Sequence, residues 1–185
     1  MAARSLRADA RRNRSRVLEA AIAAFAAEGL AVPVHEIARR AGVGTGTVSR
    51  HFPTKELLFA AIVDGVAERL VERARELAAA GDPGRALFEF LAAMVEEGAA
   101  NRALSEAFVD GADFDVEAAA SGAGHDVFGA LADLLARAQR AGAVRRDVDV
   151  ADLKALLAGC LARGRGDDAT RARMVAIVSQ GLRAS

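Results

Sequence analysis

Tryptophan and tyrosine are absent from this 185-residue chain, and cysteine occurs once, at Cys160. A lone cysteine makes no internal disulfide, which excludes a disulfide-stapled scaffold and fits a reducing compartment. Proline occurs three times, at Pro33, Pro53 and Pro83, too seldom to interrupt many helices. The longest stretches without a charge, residues 41–49 and 174–182, are nine residues each, against about 20 apolar residues for a spanning helix. No segment is expected to cross a membrane. Six arginines from Arg4 to Arg16 precede an apolar stretch, as in a secretory leader. Glu19 and Glu28 interrupt that stretch, however, and its apolar residues recur at helical spacing. The start therefore reads as that of a cytoplasmic protein. No alternating apolar run marks a strand, and no internal repeat is found.

What the chain has in abundance is alanine, about a quarter of all residues. Alanine is the best helix former because it loses no side-chain entropy. Hydrophobic residues at 52% and charged residues at 27% give a globular balance. The expectation is an all-α fold. Val17, Leu18, Ala21, Ile22 and Phe25 form one apolar stripe of a first helix, capped by Asp9 and preceded by a mobile basic tail, residues 1–8. Arg4, Arg7, Arg11, Arg12 and Arg14 read either as an arm for a polyanion's backbone or minor groove or as a solubilising tail. Gly29 ends that helix and Pro33 starts a second. A third short helix runs from Gly44-Thr45 to about His51, where Pro53 breaks it. Thr54 caps a fourth, about 25 residues long, with the stripe Leu58, Ile62, Val66, Leu70 and Leu77. Further helices are expected from Pro83, around 103–109, and over about 125–140, 150–163 and 168–182, with a loop at 110–124.

Positive and negative charges balance at 25 each, yet they are distributed unevenly. Residues 1–60 carry 10 Lys and Arg against 5 Asp and Glu, a net +5, and the remainder carries 15 against 20, a net −5. Opposite signs suggest an anion-binding end on an acidic body. Within the basic end, residues 33–52 hold two short helices joined by Ala41-Gly42-Val43-Gly44, the spacing of a helix-turn-helix. Its second helix is small and polar outside, with Thr45, Gly46, Thr47, Ser49, Arg50 and His51, while Val43, Val48 and Phe52 can anchor it. Lys55, at the start of the fourth helix, sits where a phosphate can meet a cation and backbone N–H groups.

The run from Val17-Leu18-Glu19-Ala20-Ala21 through Phe25-Ala26-Ala27-Glu28-Gly29 to Ile37-Ala38-Arg39-Arg40-Ala41-Gly42-Val43-Gly44-Thr45-Gly46-Thr47-Val48-Ser49-Arg50-His51-Phe52-Pro53-Thr54-Lys55-Glu56-Leu57-Leu58 closely resembles the DNA-binding domain of TetR-type transcriptional regulators. The resemblance covers about residues 10–60. It implies an N-terminal three-helix DNA-binding domain, residues 9–55, and a larger helical domain, residues 56–185, that dimerises and holds an effector. By position it implies DNA contacts from Thr45, Thr47 and Arg50 and phosphate contacts from His51 and Lys55. Two positions depart from the family. Ser49 stands where a Tyr is usual, and Pro33 replaces a capping Thr, whose phosphate contact falls to His35 or Arg39.

The apolar spacing of Val150, Leu153, Leu157 and Cys160, and of Met174, Ile177 and Val178, suits either internal core or a self-complementary interface. The resemblance favours a homodimeric four-helix bundle. Phe88, Met94, Phe108 and Phe128 suit core packing, and the resemblance makes them candidates for a pocket taking an apolar or amphipathic small molecule. No cofactor is implied. His35, His51, His125 and Cys160 lack metal-ligand spacing, and no nucleophile or phosphate-loop motif is present. The reading is a DNA-binding regulator on a palindromic operator, not an enzyme. Partner-controlled or constitutive DNA binding stands as the alternative, and a helical-bundle enzyme as a distant one.

Overall fold

The structure, a computed structural model, describes residues 2–110, 125–164 and 167–184, with the side chains of residues 2–8 and Asp110 left aside. The expected loop at 110–124 lies almost wholly outside the described residues. Nine α-helices are present among those described: α1 (Ala2–Glu28), α2 (Val34–Ala41), α3 (Thr45–His51), α4 (Lys55–Ala79), α5 (Pro83–Ala100), α6 (Arg102–Asp110), α7 (Val127–Arg140), α8 (Val150–Arg163) and α9 (Asp168–Leu182).

Most of these helices begin where an oxygen takes up an orphan N–H. Thr54 accepts from the Leu57 amide and Asp82 from that of Arg85. Asp126 caps α7 and Asp167 caps α9, while Asp149 and Asp152 exchange bonds as a capping box on α8. Each such cap contributes on the order of 1 kcal/mol.

Three sequence expectations need correction. Helix α1 begins at Ala2 rather than after a cap at Asp9, so residues 2–8 continue the helix. Its stripe is also narrower than expected: Val17, Ala21, Ala24 and Phe25 are fully buried, whereas Ile22 is 43% exposed. Pro33 occupies the capping position before α2, in extended conformation, rather than its first turn.

Helix α1 contacts α2, α3, α4 and α6. Helix α4 is shared: its first turns bury Leu58, Phe59 and Ile62, its later ones Val66, Leu70 and Leu77, and it contacts α1, α5 and α7. Phe25 meets Phe59 edge to face, 5.9 Å between centroids, an arrangement favoured by the ring quadrupoles. Helices α8 and α9 pack on each other and on α5. An isolated antiparallel bridge between Val144 and Arg183 ties the chain's end to the linker before α8.

Candidate nucleic-acid interface

Three backbone choices shape the helix-turn-helix. Gly42 takes the left-handed conformation, φ 63°, and donates to the Ala38 and Arg39 carbonyls, closing α2. Such a φ costs an L side chain about 1–2 kcal/mol. Gly44 then turns the chain to extended, φ −72° and ψ 151°, and its carbonyl accepts from Thr47 at 2.9 Å to open α3. Val48 and Phe52 are buried and hold α3 against the body, and the Arg14 guanidinium lies over the Phe52 ring at 5.1 Å.

Anchoring α3 through Val48 and Phe52 turns its other side outward. Thr45, Gly46, Ser49 and Arg50 are exposed, and Thr47 and His51 are half-buried. At Gly44 and Gly46 an added Cβ would meet nothing within 4 Å. Neither glycine has a left-handed φ, so nothing within the subunit requires a residue without a side chain there.

The supporting cations are more engaged than expected. Arg39 is exposed but forks onto Glu36 at 2.8 and 2.7 Å, and Arg40 bridges Glu36 at 2.8 Å and Glu28 at 2.6 Å. Hydrogen bonds from Arg39, then Arg40, hold the Glu36 carboxyl at about 2. His35 is exposed on the same helix. Lys55 is turned toward the body: its ammonium donates to the Leu30 carbonyl and lies 5.8 Å from the Phe25 centroid. The first turn of α4 is not vacant for a phosphate either. The Thr54 oxygen takes the Leu57 amide, and bonds from its own N–H and from Thr54 lower the Glu56 carboxyl. Sequence reasoning missed Arg16, which reaches the Gly42 carbonyl at 3.4 Å. Only the fold brings those two residues together.

In the helical body a cavity of about 60 Å³ is lined by Val66, Leu70, Met94, Leu104, Phe108 and Phe128 among others. Three of the four expected pocket residues are therefore there, and Phe108 and Phe128 stack at 6.4 Å. Phe88 is elsewhere, beneath the Arg183 guanidinium at 4.9 Å. Among the described lining residues Glu97 is the one ionisable group, and it is bonded to Arg69 at 2.8 Å. His125 pairs with Asp64, Nδ1 to Oδ1 2.9 Å, close in sequence to the lining residues Val63 and Val127.

The expected dimer residues divide. Leu153, Leu157 and Cys160 are buried inside the subunit, so they belong to its core, and burial also raises the Cys160 thiol pKa. Val150, Met174 and Val178 are half-buried. Leu156, 37% exposed, and Ile177, 55% exposed, project outward.

Among solved structures, a TetR transcription regulatory protein from Mycobacterium vanbaalenii is 51% identical, with 97% of this chain and 99% of that one aligned at a TM-score of 0.64. The chain belongs to the TetR family. The tetR family model of bacterial regulatory proteins matches residues 17–62, and the C-terminal domain of SbtR-like transcriptional regulators matches residues 82–184. A TetR regulator from Streptomyces coelicolor is 32% identical over 93% of this chain and 99% of its own, TM-score 0.67. A gamma-butyrolactone receptor, 22% identical over 95% and 90%, TM-score 0.67, shares the fold. No curated protein matches. This TetR-family chain is thus a DNA-binding transcriptional regulator with an N-terminal helix-turn-helix and a helical C-terminal domain. Among the described residues no helix is long and apolar enough to cross a membrane, and no three His, Cys, Asp or Glu side chains converge on a metal-sized site.

Proposed function

We propose that two copies of this chain repress transcription in the cytoplasm by binding a palindromic operator, one α3 in each of two successive major grooves. An apolar or amphipathic small molecule in the helical body releases them. The observation that carries the reading is the outward side of α3. Gly44 and Gly46 leave open space that the subunit does not use, and Thr45, Ser49 and Arg50 stand around it. A duplex backbone approaching that space meets no side chain at either glycine, while hydroxyls and a guanidinium reach base edges.

Helix α6 supports the effector reading. Leu104 and Phe108 line the cavity, while Glu106 on the same helix packs against Gly29 at the end of α1. The cavity is apolar and holds about two waters' volume at ~30 Å³ each. A ligand that displaces Phe108 would move α6, the helix that carries it. To swing the population from 1:99 to 99:1, it must prefer the released state by ~10⁴-fold. That a gamma-butyrolactone receptor has this fold supports a small amphipathic ligand. For pairing, the outward faces of α8 and α9 supply Leu156 and Ile177, and Gly159 and Gly181 leave room for close helix approach.

Selection of bound genomic fragments with the purified chain tests the reading. It should recover an inverted repeat with half-sites about one helical turn apart. Recovery of fragments without a shared motif would overturn it. A thermal-shift panel of apolar and amphipathic compounds then separates effector control, which raises the melting temperature, from partner-controlled or constitutive binding, which does not.

A further inference from the structure

The tetR family model begins at residue 17, but α1 begins at Ala2, so the helix from Ala2 to Arg16 precedes the matched domain. Arginines occupy positions 4, 7, 11 and 14 of that extension, steps of three, four and three that keep one side of a helix. Continued at the same register, the line reaches Leu18, Ala21 and Phe25, of which the first is half-buried and the other two fully buried. One face of α1 is therefore apolar where the domain covers it and arginine where the domain ends. The acid of the extension, Asp9, falls on the opposite side and pairs with Arg12. No carboxylate interrupts the arginine line.

The structure also shows where this line leaves the body. Arg14, its first member, lies over Phe52, the residue that closes α3. Its neighbour Arg16 reaches the carbonyl of Gly42 in the turn. Arg11, one helical turn further, is exposed. At a rise of about 1.5 Å per residue, Arg4 lies about 15 Å beyond Arg14 along the axis. Arg11 and Arg14, three residues apart on one helical face, repel each other in water, and a polyanion passing the end of α3 relieves that repulsion.

We propose that residues 2–14 form a helical arginine arm that tracks the DNA backbone beside the half-site, with Arg4, Arg7 and Arg11 meeting phosphates in helical register. The proposal rests on α3 reading a duplex and adds a contact that is indifferent to sequence. It differs from a loose basic tail, because the helix and not only the charge is required.

The test uses the full-length protein, the operator recovered by selection, and an unrelated duplex of equal length, titrated from low to high salt. Replacing Arg4, Arg7 and Arg11 together by Ala should weaken both duplexes and flatten the salt dependence by about 0.9 log units per lost phosphate contact. Ala8→Pro keeps every charge but breaks the helix upstream of Arg11, and should reproduce most of that loss at an unchanged melting temperature. A flattened slope in the triple variant with a normal Ala8→Pro would mean an extended tail and overturn the arm. Wild-type slopes in both variants, with operator binding intact, would overturn it while leaving the DNA reading standing. A wild-type chain that bound neither duplex would remove both.

Discussion

A methyl group on Gly29 would meet the carboxylate of Glu106 on α6, which would have to swing aside. Gly29 also has φ 74°, a conformation costing an L residue about 1–2 kcal/mol. Gly29→Ala should therefore lower the melting temperature by about 2–8 °C, at roughly 2–4 °C per kcal/mol for a chain of this size. Glu106→Ala in the same background should recover the part due to the collision, leaving the backbone part. Measured against Glu106→Ala alone, which also loses the Arg102 pair, a Gly29→Ala penalty unchanged by the second substitution would mean that the carboxylate does not oppose the methyl group.

Gly46 separates stability from function. It lies in α3 with open space around it, and Gly→Ala in a helix is favourable by up to ~1 kcal/mol. Gly46→Ala should melt at or above the wild-type temperature, and Gly46→Leu should fold yet lose operator binding in gel shifts. Arg50→Ala and Thr47→Ala should each weaken the specific complex by about 1–3 kcal/mol. Lys55→Ala should lower the melting temperature, since the Lys55 ammonium bonds the Leu30 carbonyl and faces Phe25. An unchanged melt would disprove that internal link.

The Glu36 carboxyl is held at about 2 instead of 4.5 by Arg39 and Arg40. A carboxyl depressed in the folded state contributes stability that is fully present above its unfolded value and fades as pH falls toward the folded one. The melting-temperature advantage of wild type over Glu36→Gln should therefore be constant above about pH 5 and shrink between about pH 4.5 and 2. High salt should reduce it throughout, because the pairs are exposed. A difference independent of pH would assign the effect to packing.

Ile177 and Leu153 distinguish interface from core. Ile177→Glu places a charge on the outward face of α9 and should halve the mass seen by light scattering without unfolding the chain. Leu153→Ala empties a site that is fully buried and should cost ~2–5 kcal/mol of stability. If Ile177→Glu retained the dimer mass, the pairing surface would have to lie elsewhere.

The helices, their order and the helix-turn-helix were legible because alanine content, glycine stops and three-four apolar steps are local signals. The 25-residue length of α4 followed directly from its stripe and the Thr54 cap. Burial within an apolar pair of helices was not legible. Leu153 and Ile177 sit in equally apolar stripes, and only the packing of α5 against α8 and α9 decides which one faces inward. Phe88 was misplaced for the same reason, since its partner Arg183 lies near the other end of the chain. The start of α1 was missed because arginine does not form an apolar stripe, although its helix propensity is high. Lys55 reads as a surface cation in sequence, and the carbonyl that engages it is supplied by a turn far upstream.

Helix α1 is one continuous rod from Ala2 to Glu28, next to Gly29. Its 27 residues at ~1.5 Å each give about 40 Å. A tilt of about 6° at the Glu28 end swings the far tip by about 4 Å, by simple leverage over that length. Whatever shifts Glu106 slightly at the fulcrum is magnified where the arginines stand.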